Sequence, residues 1–77
     1  MNNWNDHINS DPNILFGKPT IKGTRIPVEI IIEKLANNYS YENILDAYPR
    51  ITKLDIQACL QYAANSLKNE VIYSLAS

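Results

Sequence analysis

The stretch that most constrains this chain is residues 17–28, which read GKPTIKGTRIPV. It contains both glycines of the chain, two of its four prolines and three of its seven basic residues. Gly17 and Gly23 predict two points where the backbone has positive φ or approaches another segment closely. Pro19 and Pro27 fix φ, lack an N–H donor and favour extended backbone in the residue before each. We therefore expect a fixed loop, or two short extended pieces, and not a helix.

The length of 77 residues fits one small domain, close to the size at which a single hydrophobic core gives only marginal stability. Cys59 is the only cysteine, so no internal disulfide can form, and with His7 as the only histidine there is no structural zinc site. Association with a second copy is the remaining way to bury more surface. We therefore expect a homodimer without a cofactor.

No part of the sequence is apolar over the length of a membrane span, and the polar first six residues do not resemble a signal peptide. We expect a cytoplasmic protein with no membrane partner. The formal net charge is −1, from eight acidic and seven basic residues, so the overall charge does not favour nucleic acid. Any DNA contact would depend on a local cluster of basic side chains.

The first third of the chain predicts short strands. Residues 4–8 alternate loosely between apolar and polar positions, which is typical of an edge strand. Residues 10–13, SDPN, predict a turn. Residues 14–16 form a brief apolar piece that we also expect to be extended. The two pieces would pair with each other or with the same strand of a second subunit.

Helical periodicity begins after this region. A first helix is predicted from residue 28, directly after Pro27, and is expected to end at Asn37 and Asn38. Ile30 lies outside its apolar stripe, so the helix is apolar over a wide arc and is expected to be covered on more than one side. The stripe, at i, i+3, i+4 and i+7, consists of Val28, Ile31, Ile32 and Leu35.

Two further helices follow. Ser40 is placed as the N-cap of a short helix over residues 41–48, which Pro49 ends. Residues 52–55 have the form of a capping box, so a third helix is predicted to begin there and to run to about residues 67–68. Its buried stripe is predicted to be Ile56, Cys59, Leu60, Ala63 and Leu67.

This outline predicts a mainly α fold, a small tri-helical helix-turn-helix domain preceded by a short β-strand region. Within one domain over residues 1–77, residues 1–27 would be the strand and loop region, 28–68 the helical core and 69–77 a tail. A helical hairpin in another kind of small bundle has the same pattern. The pattern alone does not separate the two.

No motif in the sequence favours catalysis. The chain lacks G-x-S-x-G, H-E-x-x-H and phosphate-loop patterns, and it offers no cysteine–histidine pair with a third residue to orient it. His7 is interpreted as a solvated strand residue, and Cys59, inside an apolar stripe, as a small core residue. We therefore expect a protein that is not an enzyme and binds no small-molecule substrate.

The third predicted helix carries a polar face opposite its apolar stripe. Glutamine and asparagine can pair with adenine, and Arg50, just before the helix, can bind phosphate. The same face also fits an ordinary solvated surface, and the nearby Glu42, Asp46 and Asp55 disfavour DNA. The residues of the polar face are Lys53, Gln57, Gln61 and Asn65.

The basic cluster of residues 17–28, formed by Lys18, Lys22 and Arg25, has two interpretations. Its side chains could bind phosphates beside a groove of DNA. Alternatively, Thr24 and Arg25 bond carboxylates or helix-end carbonyls and fix the loop to the core, which accounts better for the glycines and prolines. The roles of the three basic side chains stay open.

The motifs described above resemble a known family. Residues 17–28 are similar to the signature of the family catalogued as domain of unknown function 433 (DUF433). The resemblance covers about residues 8–67. It continues through residues 40–45 (SYENIL), Tyr48 and Pro49, residues 55–58 (DIQA) and residues 62–64 (YAA).

The resemblance implies a homeodomain-like tri-helical domain in a small prokaryotic protein. Members of the family are often regarded as antitoxins similar to the VapB type, encoded beside a toxin with a PIN-like nuclease domain. In that setting the helix-turn-helix binds operator DNA as a dimer and represses its own operon. Another part of the antitoxin blocks the nuclease.

We therefore expect an antitoxin-like DNA-binding protein whose third helix docks in the major groove. An alternative is a protein-interaction module that sequesters a partner protein without binding DNA, which the acidic isoelectric point favours. The expected DNA contacts are Arg50, Lys53, Gln57, Gln61, Lys18, Lys22 and Arg25. The expected contacts to a PIN-like nuclease toxin are Val71, Ile72, Tyr73 and Leu75.

Overall fold

The computed structural model describes the backbone of residues 4–76 and the side chains of residues 4–68. Within the described backbone, three helices and a short antiparallel sheet of two strands confirm the predicted mainly α fold. No helix in the described part of the chain is long and apolar enough to cross a membrane. The elements are β1 (Ile8–Ser10), β2 (Pro19–Ile21), α1 (Val28–Ala36), α2 (Tyr41–Ala47) and α3 (Lys53–Ala76).

The strand predicted over residues 4–8 is wrong. Trp4–Asp6 forms a turn of 3-10 helix, and β1 begins only at Ile8. Asparagine and aspartate disfavour strands, and the ring of Trp4 lies edge-on against Tyr62 of α3, with the ring centroids 5.2 Å apart. Packing of the indole against α3 therefore outweighs the weak alternation of the sequence.

The extended piece predicted over residues 14–16 is also wrong. Leu15–Gly17 is a tight turn, and its first two residues have φ of 50° and 58°, in the left-handed region. The strand that pairs with β1 is β2, with Ile8 opposite Ile21. The second strand therefore lies inside residues 17–28, in agreement with the extended pieces expected there.

The glycine- and proline-rich loop is as fixed as its sequence predicts. Gly17 and Gly23 have φ of 82° and 80°. After β2, the Thr24 hydroxyl donates to the Ile21 carbonyl at 2.7 Å and accepts from the Ile26 N–H at 3.0 Å. Thr24 therefore holds the loop closed through backbone groups of the loop itself, not through carboxylates or helix ends.

Both ends of α1 and the start of α2 lie where the sequence predicted them. α1 begins directly after Pro27 and ends before Asn38, whose φ is 68°. Ser40 caps α2, because its Oγ accepts from the Asn43 N–H at 3.0 Å while Asn43 Oδ1 accepts from the Ser40 N–H at 3.1 Å. This reciprocal pair satisfies donors that would otherwise be unpaired at the helix start.

The core lies among α3, the sheet, α1 and α2. Two members of the buried stripe predicted for α3 are wrong, since Leu60 is 39% exposed and Leu67 is 58% exposed, whereas Ala58 is buried. Trp4–Asp6 and β1 also pack on α3, so its buried arc turns toward Ala58 and Tyr62. The largest fully buried side chains are Ile21, Ile31, Ile44, Ile56 and Cys59.

α3 is longer than the sequence pattern predicted. The helix continues to Ala76, beyond the expected end at residues 67–68. The backbone of the predicted tail is therefore helical up to that residue. The predicted toxin contacts lie outside the residues whose side chains are described; they are Val71, Ile72, Tyr73 and Leu75.

Candidate nucleic-acid interface

Two of the predicted phosphate contacts, Arg25 and Arg50, line the same cleft although they lie far apart in the sequence. Arg25 belongs to the loop after β2, and Arg50 lies in the turn between α2 and α3. The fold therefore places two arginines in the lining of one cleft beside the start of α3, which we call the arginine cleft. Its volume is about 440 Å³, and its other lining residues are Asn9, Ile14, Gly23 and Thr24.

Each arginine is exposed but extends from backbone that is held in place. The hydrogen bonds of the Thr24 hydroxyl fix the turn that leads into Arg25. Next to Arg50, the buried Ile51 donates its N–H to the Tyr48 carbonyl at 3.2 Å. The arrangement presents two exposed basic side chains from backbone that is held by hydrogen bonds.

The chemistry of the arginine cleft suits a phosphate. Among its described lining residues there is no carboxylate. A guanidinium presents five N–H donors in a planar fork that matches the oxygens of a phosphate group. Two such groups can bind one phosphate together or two neighbouring phosphates of a nucleic-acid backbone.

The other basic residues of the loop lie outside this cleft. Lys18 Nζ pairs with Glu29 Oε1 of α1 at 2.8 Å, and both side chains are more than half exposed. Lys22 is exposed in the turn after β2, where its backbone N–H donates to the His7 carbonyl at 2.7 Å. An exposed ion pair adds little stability, so Lys18 can exchange Glu29 for another anion at little cost.

The polar face predicted for α3 is exposed only in part. Lys53 and Gln57 are exposed in the first turns of the helix, close to Arg50 in the sequence. Gln61 is half-buried, and its Oε1 has no hydrogen-bond partner within the described part of the chain. It lines a cavity that Trp4 also lines. Asn65, one turn further along the helix, is exposed again, so Gln61 is the one half-buried member of the predicted face.

The interpretation of His7 as a solvated residue is wrong. Its Nδ1 lies 2.8 Å from Oδ1 of Asp55, and the two side chains are 29% and 15% exposed. Oδ2 of the same carboxylate accepts from the Thr52 N–H at 2.9 Å, which is the predicted capping interaction of α3. His7 and Asp55 are separated by 48 positions in the sequence, so no local sequence pattern indicates their contact.

The position of Asp55 matters for the charge at the start of α3. Judged from the sequence alone, the negative charge of this carboxylate disfavours DNA binding. In the structure the carboxylate is directed to the imidazole of His7 and to the cap of the helix. Both carboxylate oxygens of Asp55 therefore have hydrogen-bond partners within the chain.

Cys59 is fully buried, which confirms its interpretation as a core residue. Burial, together with the nearby charge of Asp55, raises the pKa of the Cys59 thiol to about 12. A thiol, unlike a thiolate, is a poor nucleophile and metal ligand. Within the described residues, no group of three or more His, Cys, Asp or Glu side chains could hold a metal ion.

Sequence and fold can be compared with those of known proteins. Residues 8–63 match the family described as "Protein of unknown function (DUF433)". An uncharacterized protein from Sinorhizobium fredii is 37% identical over 62 residues, which make up 79% of this chain and 28% of that protein. The chain thus spans less than a third of the length of this relative.

A solved structure is similar in fold. The crystal structure of a DUF433 member protein from Anabaena variabilis superimposes with a TM-score of 0.75 at 24% sequence identity. The similarity covers 92% of this chain and 69% of the other. At this level of identity the likeness shows the fold alone.

Proposed function

The chain belongs to the DUF433 family of proteins of unknown function, and we propose that it is an antitoxin-like DNA-binding protein. It represses its own operon as a homodimer and neutralises a PIN-like nuclease toxin. α2, the turn that contains Arg50, and α3 act as its helix-turn-helix. The observation that carries the DNA-binding part is the arginine cleft, which Arg25 and Arg50 both line beside the start of α3.

In this proposal DNA docking divides between base contacts and phosphate contacts. With the first turns of α3 in the major groove, Lys53 and Gln57 lie nearest the base edges, and glutamine can pair with adenine through two hydrogen bonds. Arg25 and Arg50 bind phosphates of the flanking backbone, which fixes the orientation of the protein on the duplex. Gln61 contacts DNA only if it leaves the cavity that it lines with Trp4.

The basic loop residues that do not line the cleft give this surface a wider reach. Lys22 is exposed, and a phosphate oxygen can replace Glu29 as the partner of Lys18. The proposed phosphate contacts are therefore Arg25, Arg50, Lys18 and Lys22. About four such contacts give a salt slope, d log K/d log [salt], of about −3.6.

A titration of the DNA upstream of the gene, followed by fluorescence anisotropy at several salt concentrations, tests the DNA-binding part. We expect Arg25→Ala combined with Arg50→Ala to weaken binding and to reduce the salt slope by about 2. Lys34→Ala combined with Lys68→Ala also removes two positive charges, but away from the cleft, and is expected to leave the slope unchanged. A folded wild-type protein without salt-dependent binding would refute this part.

The neutralising part rests on what the sequence resemblance implies and on the apolar residue types near the end of α3. The proposed toxin contacts are tested by co-purification with the product of the neighbouring gene. We expect Ile72→Asp with Leu75→Asp to abolish co-purification and to leave the DNA affinity of the free protein unchanged. Retention of the neighbouring protein by this variant would remove the proposed contacts.

A second function is favoured by one observation. An apolar groove lies between α1 and α3, and Leu67 at its edge is 58% exposed. Such a surface also suits a module that sequesters a partner protein and never binds DNA. Co-purification of the neighbouring gene product, combined with no salt-dependent DNA binding, would select this function over the first.

A further inference from the structure

The apolar groove between α1 and α3, here called the α1–α3 groove, shares no lining residue with the arginine cleft. Its volume is about 440 Å³, and its apolar lining includes Ile32, Tyr62 and Leu67. The exposed carboxylates Glu29 and Glu33 also belong to its lining. The groove is therefore apolar inside and acidic on its α1 side.

Phe16 is the most exposed large apolar side chain of the described chain, at 100% exposure. Its φ of 58° and ψ of 32° lie in the left-handed region, between Leu15 with φ of 50° and Gly17 with φ of 82°. Residues with a Cβ atom disfavour this conformation. An aromatic ring is thus held fully in solvent on backbone that a glycine would adopt more easily.

Phe16 and the α1–α3 groove lie close together on the surface. Lys18, two residues after Phe16, contacts Glu29 of the groove at 2.8 Å, and Pro19 lines the groove. Three residues of extended chain span about 10 Å at most, so Phe16 lies within that distance of Pro19. Phe16 does not line the groove of its own chain.

A surface that carries both a projecting ring and a groove can pair with a second copy of itself across a two-fold axis. In a symmetric dimer each copy presents the same surface, so the ring of one copy can enter the groove of the other and the reverse. The charges agree with this pairing. Lys18, which follows the segment that carries Phe16, pairs with Glu29 of its own chain in an exposed contact that can exchange at little cost. Glu33 adds a second carboxylate to the groove that receives Phe16.

We propose that the α1–α3 groove is occupied by Phe16 of a second copy of this chain, in a reciprocal two-fold dimer. The interface supplies the homodimer of the proposed function, yet it rests on features outside the arginine cleft. Two phenylalanine rings bury about 150–250 Å² each, and the grooves that receive them add a comparable area. The total of about 600–1,000 Å² is below the size of standard stable interfaces, so the dimer is weak and dissociates on dilution.

Sedimentation equilibrium of the full chain, without DNA, tests the proposal between about 1 and 500 μM protein. We expect the wild type to dimerise in this range. Phe16→Gly suits the local backbone, so it removes the ring while the fold is retained, and it is expected to weaken the dimer by more than about tenfold. Leu54→Ala removes another exposed apolar side chain, outside the groove, and is expected to leave the dimer unchanged.

Mixing two defective variants gives a sharper test. Leu67→Asp blocks the groove but keeps Phe16, while Phe16→Gly keeps the groove but lacks the ring. A homodimer of either variant has no ring in an intact groove. In a mixed dimer, Phe16 of the Leu67→Asp copy can enter the intact groove of the Phe16→Gly copy. We therefore expect the mixture to form heterodimers at concentrations where each variant is monomeric.

Two results would overturn the proposal. One is a folded wild type that stays monomeric at the highest concentration; the other is Phe16→Gly that dimerises as tightly as the wild type. If the wild type is monomeric and the neighbouring gene product binds through Phe16, the groove belongs to a different protein and self-association is refuted. Because no DNA is present, these results are distinct from a failure of the DNA titration.

Discussion

Nδ1 of His7 and Oδ1 of Asp55 lie 2.8 Å apart, and their contact joins the residue before β1 to the first turn of α3. Asp55 also caps that helix through Thr52. One carboxylate therefore has two tasks, starting a helix and holding the N-terminal segment against it. The arginine cleft lies at the same end of α3, because Arg50 belongs to the turn that precedes the helix.

Replacing His7 with alanine should lower the free energy of unfolding by about 0.5–1.5 kcal/mol, the net value of one hydrogen bond that is partly open to water. Urea unfolding of His7→Ala, Asp55→Ala and the double variant measures the coupling between the two residues. The loss of the helix cap is common to both Asp55 variants and cancels in the cycle. A coupling energy of zero would show that the contact contributes nothing to stability.

Replacing both arginines of the cleft with lysine separates charge from geometry. Arg25→Lys with Arg50→Lys keeps two positive charges, so the salt slope of DNA binding should stay as in the wild type. The lysines cannot form the paired hydrogen bonds of a guanidinium fork, and affinity should fall by about tenfold. Anisotropy titrations against the alanine double variant provide the comparison, and equal affinity of the lysine variant and the wild type would contradict a bidentate contact.

Two substitutions in the same loop region should act in opposite directions. Gly23 has φ of 80° and open space where a Cβ would lie, so Gly23→Ala costs only backbone strain, about 1–2 kcal/mol. Phe16→Gly removes such strain from a side chain that is fully exposed. At a protein concentration at which the wild type is monomeric, we expect the first change to lower the urea midpoint and the second not to lower it. A destabilised Phe16→Gly would mean that the ring packs within its own chain.

The thiol of Cys59 should make the protein less stable at high pH. Its pKa is raised from about 9 to about 12, so the folded state favours the protonated thiol. Below pH 9 the effect of the Cys59 thiol on the free energy of unfolding does not change with pH. Above pH 9 the free energy of unfolding of the wild type falls by about 1.4 kcal/mol per pH unit until the pKa of the folded state is reached.

The comparison for this prediction is Cys59→Ala, which has no thiol to ionise. The free energy of unfolding of both proteins is measured by chemical unfolding at pH 8, at about pH 9.5 and at about pH 10.5. The effects of tyrosines and lysines are common to both proteins, so they cancel in the difference. We expect the wild type to become less stable relative to Cys59→Ala as pH rises. A constant difference would show that the thiol remains accessible to water.

The parts of the fold that the sequence predicted correctly depend on neighbouring residues. Ser40 bonds Asn43, Thr52 bonds Asp55, and Gly23 takes a positive φ within a single turn. Such interactions span three residues or fewer, so the residue types and their spacing are enough to indicate them. Helix starts and the fixed loop could therefore be predicted.

The parts that could not be predicted depend on contacts between distant residues. A loose alternation in residues 4–8 does not reveal that Trp4 packs on Tyr62. Helical periodicity shows that α3 has an apolar side, but the N-terminal segment decides how far its buried arc turns, which leaves Leu60 exposed. The same limit applies to the candidate site. Arg25 and Arg50 were each predicted as phosphate contacts, but only the fold shows that they share a cleft.

The edge-on contact of Trp4 with Tyr62 also bears on the order in which the chain folds. Trp4 leaves the ribosome well before Tyr62, so its docking surface does not exist while β1, β2 and α1 are being made. Contacts between such distant residues form late, because they require closure of a long loop. Trp4 is the only tryptophan of the chain, and its fluorescence therefore monitors the docking of the N-terminal segment on α3.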